Sequence, residues 1–228
     1  MNDTINPSTT DRTFTYRPPK EPFLEVLFED EHLLLVNKPS GLLSVRGRRE
    51  EHQDSVQARA ESLYPFVGIV HRLDMSTSGL MLLAKTSGAL KQLHRQFSER
   101  KVSKIYLAKV FGIPENKKGV INLPLITDWP NRPKQKVCYE MGKPSETVFR
   151  VLEENNEFSL LELTPVTGRS HQLRVHLAEL GHPILGDKFY AHDTAYKASP
   201  RLALHAFHLA FQHPDSNLPM AFSSEPDF

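Results

Sequence analysis

The apolar residues of this chain occur in short runs, and each run ends at a turn or at charged residues. Runs typical of β-strands cover residues 24–28, 33–36, 67–73, 80–85, 102–111, 147–152, 158–163 and 202–211. Helical spacing of apolar residues is convincing in two places, over about 87–100 and over about 173–180. Many short strands with two helices predict an α+β fold, in which helices pack on a largely antiparallel sheet.

No linker interrupts residues 21–228, which predicts a single globular domain over that range. Residues 1–20 are polar and contain several prolines, which predicts a disordered or extended N-terminal arm. The proline-rich stretch 112–144 shows few clear periods, and we interpret it as an irregular insertion across the domain surface.

The sequence also indicates a cytoplasmic location. The single cysteine, Cys138, cannot form a disulfide within the chain, which favours a reducing compartment. The apolar runs are too short to cross a bilayer, and the N-terminus lacks the pattern of a secretory signal. We therefore expect no membrane partner, and nothing in the chain indicates an obligate protein partner.

The charge of the chain is unevenly distributed, although its net value is only +1. Residues 85–109 hold seven lysines and arginines against the single acid Glu99, whereas no lysine or arginine follows Arg201. A local excess of this kind is what a polyanionic ligand requires. A solvated helix face would explain it equally well, so charge alone leaves both interpretations open.

Two segments are dense in residue types that carry chemistry. Residues 71–80 place Asp74 beside an arginine at a strand-to-turn junction, where side chains project into clefts. Residues 168–176 place two arginines and two histidines at a helix start, where His171 and Arg174 share a face that could meet Asp74. An Asp74 that caps its own turn and an Arg174 in a structural ion pair fit the pattern as well.

Three familiar types of site lack support in the sequence. Residues 181–188 resemble a phosphate-binding loop but end in Gly-Asp-Lys, without the required Gly-Lys-Ser/Thr. No Gly-x-Ser-x-Gly motif of a serine hydrolase occurs. The eleven histidines are not framed by His-Glu-x-x-His or Cys-x-x-Cys, so we predict no metal site.

Several blocks of the sequence, taken together, resemble the RluA family of RNA pseudouridine synthases. The matching blocks are Asn37-Lys38-Pro39-Ser40-Gly41, His71-Arg72-Leu73-Asp74 with Thr77-Ser78-Gly79-Leu80, Lys104-Ile105-Tyr106-Leu107-Ala108, residues 168–176, residues 181–187, and Arg201-Leu202-Ala203-Leu204-His205. The blocks stand in the family's order and cover most of 24–210. Because the matching blocks cover most of the chain, we expect no S4-type RNA-binding domain of the kind that many relatives carry.

The resemblance implies a fold and a reaction. The fold would be a mixed, largely antiparallel sheet flanked by helices, with a central active-site cleft. The reaction would convert a uridine within RNA to pseudouridine: the N1–C1′ bond breaks, the uracil turns while held, and C5 bonds to C1′. Because bonds broken and formed balance internally, we expect no cofactor.

The resemblance also implies the site residues. Asp74 would be the catalytic carboxylate, Arg174 would pair with it, and Tyr106 would stack on the target base. Leu204 would pack near the base, and Arg72 would fill the stack that the flipped base leaves. His71 and Lys104 complete the predicted substrate-binding set. The basic residues of 85–109, together with Arg132, Lys134 and Lys136, would hold the RNA backbone.

Residues 128–136 resemble one dual-specificity branch of the family, which implies two partners, 23S ribosomal RNA and the anticodon stem-loop of certain tRNAs. Two alternatives belong to other classes of protein. A catalytically idle RNA-binding module would not need a carboxylate in a polyanion site. A glycosidase would need a second carboxylate near Asp74, and the matched blocks offer none.

Overall fold

A computed structural model describes residues 15–228, so most of the predicted arm at 1–20 lies outside the described residues. The described part of the arm runs against the domain. The Tyr16 hydroxyl donates to the carbonyl of Asp54 at 2.7 Å and accepts from the backbone N–H of Leu43 at 3.0 Å. The carbonyl of Pro19 accepts a hydrogen bond of 2.6 Å from the buried guanidinium of Arg59.

Twelve strands and four α-helices make up the described residues. The strands are β1 (Glu25–Glu29), β2 (Leu33–Lys38), β3 (Gly68–Ile69), β4 (Ser78–Ala84), β5 (Ser103–Phe111), β6 (Lys118–Asn122), β7 (Leu125–Thr127), β8 (Gln135–Val137), β9 (Glu146–Glu154), β10 (Phe158–Pro165), β11 (Leu204–Gln212) and β12 (Pro219–Ser223). The helices are α1 (Val56–Glu61), α2 (Ser87–Ser98), α3 (Gln172–Glu179) and α4 (Asp193–Lys197).

Ten of the described strands form one sheet, and β7 and β8 form a separate hairpin. The order in the sheet is β1-β2-β4-β11-β5-β10-β9-β6, with β3 added to β4 and β12 added to β11. Among the described strand pairs only β4 and β11 run parallel. The predicted α+β fold with a largely antiparallel sheet is thus confirmed.

The central strands are buried on both faces, which explains why their sequences read as continuous apolar runs. On β2, Leu33 and Leu35 pack with the cluster around α2, whereas Leu34 and Val36 pack with the cluster around α1. A third cluster joins α3 and α4 to β5 and β10. Tyr106 packs against both the α1 and the α3 clusters, so it marks the boundary between two halves of the core.

Helix α2 is the clearest amphipathic helix of the fold. It buries Ala89 and Leu93, and Thr86 caps its N-terminus by accepting from the backbone N–H of Ala89 at 3.1 Å.

Within residues 15–228, no helix combines the length and the apolar character needed to cross a membrane.

The structure corrects four sequence predictions. Of the strand predicted at 67–73, only Gly68–Ile69 pairs, and the chain after it is a loop. The stretch 112–144 is not irregular, since it contains β6 at the sheet edge and the β7–β8 hairpin. The sequence analysis predicts no strand after 202–211, but β12 follows and pairs antiparallel with β11. The structure also contains two helices that the sequence analysis did not predict, α1 and α4. They have six and five residues, too few to display a helical period.

Gly79 is required where β4 meets β11. Its φ is +107°, a conformation that residues with a Cβ rarely adopt, and an added Cβ would lie 2.4 Å from the carbonyl oxygen of Ala206. Because Gly79 follows the loop that carries Asp74, this close contact fixes where that loop enters the sheet.

We predict that Gly79→Ala lowers the free energy of unfolding by at least about 2 kcal/mol, through backbone strain and the clash with β11. The matched control is Gly88→Ala in α2, where an added Cβ meets nothing within 4 Å. That change should be neutral or stabilising by up to about 1 kcal/mol, since alanine favours helix. Denaturant unfolding of both variants is the measurement, and equal stabilities would contradict the prediction.

Candidate active site

A cleft of about 660 Å³ opens between the start of β4, the middle of β5 and the start of α3. Its wall brings together the predicted catalytic residue and the predicted substrate-binding set. These are His71, Arg72, Asp74, Lys104, Tyr106, Arg174 and Leu204. Residues 165–174 form the opposite wall, and Pro133 from the turn of the β7–β8 hairpin reaches the rim.

The loop before β4 is held by the segment that follows β2. The hydroxyl of Ser44 donates to the carbonyl of Leu73 at 2.7 Å and accepts from the backbone N–H of the same residue at 3.0 Å. The backbone N–H of Gly41 donates to the carbonyl of Met75 at 2.9 Å. These bonds bracket Asp74 on both sides and leave its side chain 28% exposed to the cleft.

The Asp74 carboxylate does not cap its own turn. Within the described residues, the turn is closed by the backbone N–H of Thr77, which donates to the main-chain carbonyl of Asp74 at 3.1 Å. The carboxylate oxygen Oδ2 instead lies 3.4 Å from Nη1 of Arg174 and 3.8 Å from Nε2 of His171. Asp74 is therefore aimed across the cleft at the start of α3.

Lys38 supports this loop from below, a role that sequence reasoning missed. Its ammonium is wholly buried and donates to the carbonyls of Pro39, Leu42 and Met75 at 2.7–3.0 Å. Burial lowers the pKa of Lys38 to about 7, and the charge of Asp74 opposes that shift. The three carbonyls match the three hydrogens of the ammonium form, so the lysine ties the β2 turn to the loop of Asp74.

Arg174 forms a bidentate salt bridge with Asp187, another residue that sequence reasoning missed. Nε and Nη2 of Arg174 donate to the two carboxylate oxygens of Asp187 at 2.8 and 2.7 Å. The contact predicted with Asp74 is present, but it is single and longer. Both members of the pair are buried, so each charge needs the other.

The electrostatics of this pair keep Arg174 charged. Burial disfavours the cation, but the hydrogen bonds and charge of Asp187 outweigh burial, and the pKa of Arg174 is raised. The carboxylate of Asp187 also accepts from the backbone N–H groups of Phe189 and Tyr190. The rings of those two residues lie 5.1 and 5.2 Å from the guanidinium carbon and cover its face.

His171 lies just before α3 rather than on it. Its φ is +54°, a left-handed conformation at the N-terminal cap position. Its Nδ1 lies 2.6 Å from the Tyr190 hydroxyl, which orients the ring so that Nε2 faces Asp74. Burial lowers the pKa of His171, Asp74 partly opposes this, and Arg174 adds to the lowering. The imidazole is therefore neutral at neutral pH.

Tyr106 and Leu204 form the apolar floor of the cleft on neighbouring strands. Burial, together with the charge of Asp74, raises the pKa of Tyr106 above its usual range, so the phenol keeps its proton. Leu204 is buried and lies across from Ala108 on β5. This floor offers a flat aromatic face beside a carboxylate, which suits a planar base.

His71 and Lys104 border the floor. His71 accepts from the backbone N–H of Leu82 at 3.0 Å and stacks on Phe97 at 4.9 Å between ring centroids. Burial, and secondarily Lys104, lowers the pKa of His71 to about 4. The ammonium of Lys104 lies 5.8 Å from the centre of the Phe97 ring.

Arg72 is exposed and has no ion-pair partner among residues 15–228, in contrast to Arg174. It shares the cleft wall with Lys104, Arg169 and Arg174, whereas Asp74 is the one carboxylate among the described wall residues. A positive wall around a single carboxylate fits a polyanionic substrate. It lacks the pair of flanking carboxylates that glycosidases generally use.

Comparison with known proteins agrees with this geometry. The family model for RNA pseudouridylate synthase matches residues 32–179. The chain belongs to the RNA pseudouridylate synthase family. It is therefore an isomerase that acts on RNA.

Two relatives of this synthase resemble it over almost its whole length. The dual-specificity RNA pseudouridine synthase RluA of Escherichia coli K12 is 54% identical over 214 residues, which are 93% of this chain and 98% of the relative. The protein of the same name from Vibrio parahaemolyticus is 55% identical over 207 residues, 89% of this chain and 83% of the relative.

Two solved human structures share the fold of the synthase. RNA pseudouridylate synthase domain containing 1 superposes with a TM-score of 0.75 at 30% identity, covering 90% of this chain and 84% of that one. RNA pseudouridylate synthase domain containing 4 superposes with a TM-score of 0.71 at 26% identity, covering 89% of each chain.

The sequence carries only a partial signal for the partner of Arg174. The rejected phosphate-loop match at 181–188 draws attention to an aspartate after a glycine, within a matched block. An arginine needs a carboxylate when it is buried. The only missing information was which of the chain's acids the fold brings to it.

For this synthase we predict that Asp187→Asn lowers the free energy of unfolding by about 3 kcal/mol, because it leaves the buried Arg174 charge without its partner. The control is Glu162→Gln, which breaks the pair between Glu162 and Arg150 on the sheet surface. That loss should be under about 1 kcal/mol. Denaturant unfolding measures both. Similar losses would show that the buried pair does not stabilise the site.

Proposed function

We propose that this synthase isomerises uridines in two RNAs, a stem-loop of 23S ribosomal RNA and the anticodon stem-loop of certain tRNAs. The observation that carries the proposal is the lone Asp74 carboxylate, held against Arg174 in a cleft whose other charged walls are basic. The relatives described above are named dual-specificity enzymes, and the match to them covers 93% and 89% of this chain.

In this proposal Asp74 is the catalytic carboxylate. A carboxylate can act on the ribose or the base of the target. The N1–C1′ bond breaks, the uracil turns within the cleft, and C5 bonds to C1′ as its hydrogen is lost and N1 gains one. The hydrogen lost from C5 to solvent is balanced by the proton that N1 gains, so the composition of the RNA is unchanged and no co-substrate is consumed.

The remaining residues hold the base and aim the carboxylate. Tyr106 stacks on the uracil and Leu204 covers its edge, which keeps the base in place while it turns. Arg174 points one N–H group at Asp74 while Asp187 fixes the rest of the guanidinium. His171 is neutral and is oriented by its contact with Tyr190. It therefore adds a polar contact to Asp74 without a second positive charge.

The target base reaches this cleft only after it leaves its stack. Arg72 is the side chain we propose for the vacated position, because its guanidinium is exposed beside Asp74 and unpaired within the described residues. Guanidinium planes stack on bases, so Arg72 can hold the opened strand. Lys104 and Arg169 on the cleft wall, with basic residues of 85–109, bind the phosphates, and binding weakens as salt rises.

We predict that Asp74→Asn folds and binds RNA normally but forms no pseudouridine. Transcripts of large-subunit ribosomal RNA and of tRNA would carry tritium at uracil C5, since isomerisation replaces that hydrogen. Wild-type protein should release tritium from both transcripts, and Asp74→Asn should release it from neither.

Asp215→Asn is the control, because Asp215 is an exposed carboxylate that does not line the cleft. It should retain wild-type release. Substantial turnover by Asp74→Asn would contradict the assigned role, and release from only one transcript would contradict the dual specificity.

A further inference from the structure

An exposed tryptophan lies in the turn of the β7–β8 hairpin, whose Pro133 lines the cleft. Trp129 is 66% exposed at the turn of the β7–β8 hairpin, and it is the single tryptophan of the chain. The guanidinium carbon of Arg132 lies 4.4 Å from the centre of its ring. Arg132 is also exposed and has no ion-pair partner in the part of the chain that the structure describes.

The turn that carries this pair is internally fixed. The backbone N–H of Asp128 donates to the carbonyl of Lys134, and the backbone N–H of Asn131 donates to the carbonyl of Asp128, both at 2.9 Å. The Asp128 carboxylate is occupied by the side chains of Asn131 at 2.8 Å and Lys136 at 3.3 Å. The backbone that carries the indole is therefore fixed, although the indole itself is exposed.

The same turn is tied to the catalytic carboxylate through a short series of contacts. Pro133, next to Arg132, lines the cleft. The backbone N–H of Gln135 donates to the Tyr190 hydroxyl at 2.8 Å, and that hydroxyl lies 2.6 Å from His171, which faces Asp74. The turn thus stands at the rim, in a fixed relation to the place where the target base would lie.

We propose that Trp129 and Arg132 form a platform on which an unpaired base flanking the target uridine stacks. The inference rests on the proposed function and deepens it, by naming the part of the RNA that this rim holds. An aromatic face stacks on any base, and stacking on exposed aromatic residues is a common mode of binding single-stranded RNA. Arg132 lies on the indole and keeps its N–H groups available for a backbone phosphate.

The platform explains why Trp129 is exposed and also predicts a preference for RNA loops over duplex. A large aromatic side chain that stays in water contributes little to folding, whereas the same side chain at a binding rim gains contact area when RNA covers it. A loop nucleotide next to the flipped uridine is unpaired, so its base is free to stack. Specificity for loops over continuous duplex would follow, because bases in a duplex already stack on one another.

The fluorescence of the protein reports on this contact directly, because Trp129 is its only tryptophan. The Asp74→Asn protein would be titrated with the tRNA anticodon stem-loop, so that the RNA is not converted. We expect quenching that saturates with binding, together with protection of the indole from acrylamide. A duplex of the same length should bind with less quenching. A mobility-shift assay would establish the RNA concentration at which the protein is saturated. If the tryptophan emission at that concentration is unchanged, the platform is wrong.

Kinetics provide the second readout. Base stacking of this kind predicts that Trp129→Ala raises KM by about tenfold with little change in kcat, and that Trp129→Phe restores most of the loss. Tyr139→Ala is the matched control, since Tyr139 is 77% exposed but lies beyond the other end of β8 and does not line the cleft. It should leave KM unchanged.

The two proposals fail in different ways. If wild-type protein releases tritium normally but Trp129→Ala behaves like Tyr139→Ala, the platform is wrong and the synthase assignment stands. If Trp129→Phe is as impaired as Trp129→Ala, an aromatic face is not what the site requires, and the platform is also wrong. If wild-type protein releases no tritium, the proposed function itself fails.

Discussion

The buried pair of Arg174 and Asp187 is the interaction on which the site depends. A guanidinium inside a protein is tolerated only when its charge and its N–H groups are matched, and Asp187 supplies both matches at 2.7–2.8 Å. Two backbone N–H groups hold Asp187 in turn. Nη1 of the arginine is not used by Asp187, and it points an N–H group at Asp74. The orientation of the proposed catalytic carboxylate therefore depends on a residue that does not line the cleft.

The sheet brings the two sides of this contact together. Asp74 precedes β4, and Arg174 lies on α3, 100 residues further along the chain. β4 and β11 are joined by the parallel pairing at Gly79, while α3 packs over β5 and β10. Because β11 pairs with both β4 and β5, the loop of Asp74 and the start of α3 face each other across Tyr106. The ammonium of Lys38 joins the turn after β2 to the loop of Asp74 through three hydrogen bonds.

The sequence was informative wherever a pattern is local. Strands β2 and β4 are continuous apolar runs because both of their faces are buried, and α2 shows its period over twelve residues. Asp74, Tyr106 and Arg174 were predicted from the family resemblance, and the structure places all three at one cleft.

Other features depend on contacts that only the folded chain creates. The hairpin and β6 within 112–144 are short and carry prolines nearby, so their pairing shows no clear period. The partner of Arg174 could not be chosen among the chain's acids without the position of residues 182–190 relative to α3. The three carbonyls around Lys38 belong to two segments that are distant in sequence, and a turn motif alone does not reveal them.

The central claim is that this cleft turns a uracil around without releasing it. The most direct test is to incubate a stem-loop RNA with the wild-type protein, digest the RNA to nucleosides and separate them by chromatography. The account predicts that pseudouridine appears as uridine disappears, in equal amounts, and that no free uracil forms. Free uracil with an abasic RNA, or unchanged uridine with the RNA bound, would contradict it.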